Sequence, residues 1–126
     1  MMKSKRRLIA LLATSAAMIA ACSMEPQVSF KADIQPIVDQ YCSECHRTGG
    51  EGAIASGFIT ESYESIMEGT KYGPVIVPEY PLSSSLYRLV AGKVHSSIRM
   101  PHGKEALKQE EVLWIERWIQ QGAKNN

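Results

Sequence analysis

The chain has 126 residues, 44% of them hydrophobic and 21% charged, with a formal net charge of +1. That is room for one domain of ordinary globular composition, and no internal repeat is visible. A charge this close to neutral gives no support to a nucleic-acid partner.

The cations are concentrated at the start, where Lys3, Lys5, Arg6 and Arg7 precede an uncharged run of apolar and small residues from Leu8 to Ala21. The run is short for a membrane span and has the pattern of an export signal. It ends in Ile19-Ala20-Ala21-Cys22, which resembles the bacterial lipobox, where the cysteine is lipidated and becomes the new N-terminus. The expected organisation is a lipoprotein signal peptide over 1–21, a lipidated tether over 22–29, and a globular domain over 30–126. Cleavage before Cys22 would remove four of the fourteen Lys and Arg and none of the thirteen Asp and Glu, leaving a net charge of −3. The expected location is extracytoplasmic and lipid-anchored to a bacterial membrane, inner or outer.

In the domain, Asp33 is expected to cap a first helix whose Ile34, Ile37, Val38 and Tyr41 share a face, with Pro36 in the first turn, where its missing N–H is harmless. Gly49, Gly50, Gly52 and Gly57 predict a flexible surface loop over 47–60. A short helix over about 61–68 stops at Gly69, and Pro74, Pro78 and Pro81 mark an extended segment. Ser83 to Ser85 can cap a helix from Leu86 to Ala91, ended by Gly92. The last helix is expected over about 109–121, with Glu110 and Glu111 at its positive end. There Val112, Ile115, Trp118 and Ile119 share a face, and Leu113 and Trp114 predict burial on a second side. No strand pair is evident. An all-α domain with loops this long makes a marginal core, and a large flat apolar cofactor would fill it.

Cys42-Ser43-Glu44-Cys45-His46 is a C-x-x-C-H motif. Two thiols three positions apart can each join one vinyl group of a haem, and the adjacent imidazole can bind the iron. A thioredoxin-like pair would need a βαβ context, and a zinc site would need further ligands; neither is present. Candidates for the other face of the iron are Met24, Met67, Met100, His95 and His102. Met100 is preferred, because it sits in a polar loop with no evident core partner and its soft sulfur suits low-spin iron. Bis-His ligation is the competitor.

With these residues in place the chain resembles the class I cytochrome c family. The similarity rests on Phe30, Asp33, Ile34, Pro36 and Ile37; on Cys42, Cys45 and His46; on Met100 and Pro101; and on Trp118, Ile119, Gly122 and Ala123. The resemblance implies an all-α, cytochrome c-like fold wrapped around one covalent haem c. In it the first and last helices cross, so that Phe30 or Ile34 meets Trp114 or Trp118. Pro74, Pro78 and Pro81 would lie on the His46 side, where a backbone carbonyl orients the imidazole. Lys108 stands where a capping Ser or Thr is usual, and His102 where a small or apolar residue is usual. The implied role is an electron carrier rather than an enzyme, exchanging electrons with redox partner proteins. Glu44 and Glu51, near the motif, could bias those partners toward basic surfaces, with a solvated face as the default reading. The alternatives are a ligand-binding or catalytic haem with a labile sixth position, and a cytochrome subunit of a larger oxidoreductase.

Overall fold

The computed structural model describes residues 25–126. The export signal, Cys22 and Met24 lie outside the described residues. Six α-helices follow in order: α1 (Gln35–Tyr41), α2 (Ser43–His46), α3 (Glu51–Ser56), α4 (Tyr63–Glu68), α5 (Ser85–Val90) and α6 (Gln109–Gln120). Among the described residues the extended pairing is limited to one isolated bridge, Thr70 with Gly73. None of the described helices is long and apolar enough to cross a membrane. The expected all-α architecture is what forms.

The first helical segment starts earlier than expected. A wide π-turn, Phe30–Ile34, runs directly into α1. Its cap is Ser29, whose hydroxyl accepts from the Ala32 N–H at 3.1 Å, while the Asp33 carboxylate accepts from the Ser29 N–H at 2.8 Å. Asp33 is therefore the return arm of a reciprocal cap, not the cap itself. Pro36 falls in the first turn of α1. With no N–H it could not close a normal turn onto Ala32, and the wide turn stands immediately before it.

The expected loop over 47–60 contains α3, with Ala53 buried beneath it. Gly57 ends that helix at φ 78, a left-handed conformation glycine adopts at no steric cost. Helix α4 is capped by Ser62 and so begins slightly later than expected. Ser84 precedes α5, but its buried hydroxyl serves the proline segment instead. It accepts from the Val77 N–H at 2.8 Å and donates to the Tyr80 carbonyl at 3.0 Å.

The first segment and α6 pack as the family resemblance implies. Phe30 lies 5.5 Å from Trp118 between ring centroids, and Tyr63 lies edge-on to Phe30 at 5.1 Å. Ile34, Ile115 and Ile119 complete this buried cluster. The Trp118 indole N–H donates to the Lys124 carbonyl at 2.9 Å, so the ring is buried without stranding its polar atom. The tail returns to the start of the fold, where the Asn126 side chain accepts from the Phe30 N–H at 2.9 Å. Helix α6 starts after Lys108, whose N–H is met by the Glu111 carboxylate at 2.8 Å. An acid at the third position thus supplies one arm of the cap where the side chain of residue 108 can accept nothing. The expected second buried side fails at Leu113, which is 42% exposed; Trp114 is only half-buried.

Trp118→Ala should cost about 3–5 kcal/mol, the range for emptying a large aromatic site. The denaturant midpoint measures it, and a cost under about 1 kcal/mol would remove Trp118 from the core.

Candidate cofactor site

Helix α2 continues from α1 through Cys42, whose N–H donates to the Val38 carbonyl at 2.9 Å. The motif is thereby fixed to the end of a helix that is itself packed on the core. Cys42, Cys45 and His46 all face one cavity of about 540 Å³, a size typical of small-molecule and cofactor sites. Its other walls are largely apolar: Phe58, Val75, Leu86, Leu89, Val90 and Leu107. Met100 lines the same cavity, half-buried against the core. Cys42 and Cys45 are both free thiols.

The imidazole of His46 is held in one orientation. Its Nδ1 lies 3.1 Å from the Phe58 carbonyl oxygen. A carbonyl can only accept, so Nδ1 carries the proton and Nε2 keeps its lone pair for another partner. The Phe58 ring packs edge-on to the imidazole at 5.2 Å. The orienting carbonyl thus comes from the end of the glycine-rich segment, and the three prolines expected beside His46 do not supply it.

That segment grips the motif backbone as well. Thr60 is 1% exposed. Its N–H and its hydroxyl both donate to the His46 carbonyl, at 2.9 and 3.3 Å. The Ser43 hydroxyl pairs with that of Thr60 at 3.2 Å. Gly50 and Gly52 allow the approach. A Cβ at Gly50 would stand 2.4 Å from the Cys45 carbonyl oxygen, and one at Gly52 would stand 2.9 Å from His46 Cε1. Both distances are impossible without displacing α2 or the imidazole. Phe58, Thr60, Gly50 and Gly52 are the functional residues missed from sequence, where the glycines signalled only flexibility.

Burial, with Asp39 adding a smaller contribution, pushes the Cys42 thiol up to about 11. At neutral pH it is a neutral thiol, compatible with its apolar wall.

The remaining candidates separate clearly. Met67 packs against the hydrophobic core and does not line the cavity. His95 is exposed and bonded to Ser97 at 2.9 Å. His102 lines the cavity but is itself exposed. Glu44 is ion-paired with Lys104, so it is not the free anionic feature expected beside the motif; Glu51 is exposed and lines the cavity.

Residues 42–102 match the family model described as Planctomycete cytochrome C. No curated protein and no solved structure gives a match. The match supports a cytochrome c-type domain with a haem-binding, electron-carrying role, and the helical architecture is consistent with a small cytochrome c-like fold. The residues fit such a group. The cavity is apolar, two free thiols border it, one imidazole nitrogen is left available, and a thioether stands in the same lining.

Gly50→Ala should lower stability by about 1–3 kcal/mol, the usual cost of forcing volume into a packed contact. Thr60→Val should cost about 1 kcal/mol, because the backbone N–H still serves the His46 carbonyl. Denaturant midpoints compare the two, and a neutral Gly50→Ala would remove the close approach from the account. In the apo-protein, iodoacetamide should alkylate Cys42 slowly at pH 7, the rate climbing with thiolate until the pH nears 11. A plateau near pH 9 would show that the sulfur is not in an apolar setting.

Proposed function

We propose that this chain is an exported, lipid-anchored electron carrier with one covalently bound haem c. Cys42 and Cys45 would form the thioether links, and His46 Nε2 and Met100 Sδ would be the axial ligands. The iron supplies one-electron redox chemistry. The protein's part is to hold it. The Phe58 carbonyl fixes the His46 tautomer and ring plane. The leucine and valine walls exclude water and lower the local dielectric around the cofactor. Two protein ligands on the iron leave no position for a substrate, which favours a carrier over a catalyst. Among the class I cytochromes c, the similarity of both terminal helices and the Met100-Pro101 pair supports placing this chain there.

The observation that carries this reading is the meeting of Cys42, Cys45, His46 and Met100 on one apolar cavity, with His46 already anchored through Nδ1. Export and lipidation rest on the basic start, the apolar run and Ile19-Ala20-Ala21-Cys22. They support a carrier held on the extracytoplasmic side of a bacterial membrane, with acyl chains adding about 0.8 kcal/mol of anchoring per buried methylene.

The test uses protein expressed where cytochrome maturation operates. Mass spectrometry should show one tetrapyrrole added and acyl groups on Cys22. The oxidised protein should show the weak far-red band of a sulfur–ferric bond, and Met100→Ala should abolish it and lower the potential. A bare polypeptide mass would reject the cofactor, and a spectrum unchanged by Met100→Ala would transfer the sixth ligand to another residue, with His102 the nearest alternative on the cavity wall.

A further inference from the structure

Exposed apolar side chains cluster in one turn. Ile54, Tyr72, Ile98 and Leu113 stand singly along the chain, which is ordinary, but Val77, Tyr80 and Leu82 share the turn 77–82 and are 39%, 60% and 67% exposed. The turn is firmly built. The Glu79 N–H donates to the Ile119 carbonyl at 2.7 Å and the Tyr80 N–H to the Val77 carbonyl at 3.0 Å. The buried Ser84 hydroxyl accepts from the Val77 N–H at 2.8 Å, and at the foot of the turn the Leu86 N–H donates to the Val75 carbonyl at 3.0 Å. Glu79 sits at φ 71, a left-handed conformation strained for any residue with a side chain and held only where the surroundings enforce it.

The start of the domain is fixed to the same end of α6. The Gln121 side chain accepts from the Val28 N–H at 2.8 Å and donates to the Pro26 carbonyl at 3.1 Å, and Arg117 pairs with Glu25 at 3.9 Å. The chain is thus held to the C-terminal end of α6 as far back as Glu25, and the 77–82 turn is held to that end through Ile119. Cys22 precedes Glu25 by three residues, which reach at most about 11 Å when fully extended. A domain of this length has a radius of gyration of about 13 Å. So short a tether does not let the domain roll freely, and the end of α6 stays turned toward whatever holds Cys22.

We propose that the 77–82 turn is a second membrane contact, with Tyr80 and Leu82 seated in the headgroup layer beside the Cys22 lipid, a proposal that rests on the lipoprotein reading above. The residue types suit that place. A tyrosine lays an apolar ring among the lipids while its hydroxyl stays wet, and a leucine adds apolar area. The exposed Glu79 carboxylate in the turn favours a zwitterionic surface over an anionic one. Val75 and Leu86, on either side of the turn, line the cofactor cavity. Seating the turn therefore also fixes how that cavity is presented above the bilayer.

The experiment compares two full-length mature forms: the processed lipoprotein in phosphatidylcholine vesicles, and a Cys22→Ser form exported behind an ordinary cleavable leader and free in solution. N-acetylimidazole acetylates exposed tyrosines, and Tyr72, 85% exposed in a different turn, is the internal reference. Read by peptide mass spectrometry, the ratio of Tyr80 to Tyr72 acetylation should be at least about fivefold lower on the vesicles than in solution. Leu82→Asp should raise the ratio on vesicles, while Ile54→Asp, at a similarly open site on α3, should leave it low. An equal ratio in the two forms, on a chain whose mass shows acyl groups on Cys22, would overturn the proposal and leave the lipoprotein reading standing. A mature chain without those acyl groups would overturn both. Two variants that raise the ratio alike would also overturn the proposal. Protection of Tyr80 in the Cys22→Ser form that grows with protein concentration would assign the turn to a second copy of the chain and equally overturn it.

Discussion

Residues 50–60 lie against the backbone of Cys45 and His46 so closely that no side chain fits between them. On this contact the site depends. The Cys45 carbonyl oxygen stands 2.4 Å from where a Cβ on Gly50 would be, and the His46 carbonyl takes two hydrogen bonds from Thr60. The same short stretch supplies the Phe58 carbonyl to the imidazole. One segment of chain therefore fixes the path of the motif helix, the plane of its imidazole and the nitrogen left free. A four-residue helix such as α2 has too few internal bonds to hold itself. Its geometry is imposed from outside, and the glycines are the condition for imposing it.

The rest of the fold divides into a part that holds itself together and a part that does not. The crossing of the first helical segment with α6 buries Phe30, Ile34, Trp118 and Ile119, and the C-terminal residues tie back to Ser29, Phe30 and Lys31. This half is closed by protein alone. The other half surrounds a cavity of about 540 Å³ whose walls are mainly apolar. Its walls come from α2, α3, α5 and the segment from Met100 to Leu107. An apolar volume of this size lacks dispersion partners on one side, so a large apolar occupant contributes to folding as well as to chemistry.

The two halves differed in how far the sequence revealed them. Helices α1 and α6 were legible because one apolar face per 3.6 residues is a periodic signal, whereas the contact of Phe30 with Trp118 was expected only from the family resemblance. Cys42, Cys45 and His46 were legible because the spacing is itself the chemistry. Helix α3 was hidden by Gly50, Gly52 and Gly57, which read as flexibility although two of them exist to admit backbone contact. The Phe58 carbonyl could not be seen at all, since every residue has a carbonyl and only the path of the chain decides which one meets His46. Thr60 is similar: a threonine after an apolar residue says nothing of burial until the chain folds over it.

Charge was the least legible feature, for a physical reason. Glu44 lies inside the motif, so sequence proximity suggested an acidic rim, whereas contact across sixty positions pairs it with Lys104 and cancels it. The cations of 93–104 are spread along the chain, but the fold brings Arg99 and Lys104 to one small cavity beside Pro101 and His102, while Lys93 lines neither cavity. Potential at a surface is a sum over distance in space, with screening beyond about 10 Å at ordinary ionic strength.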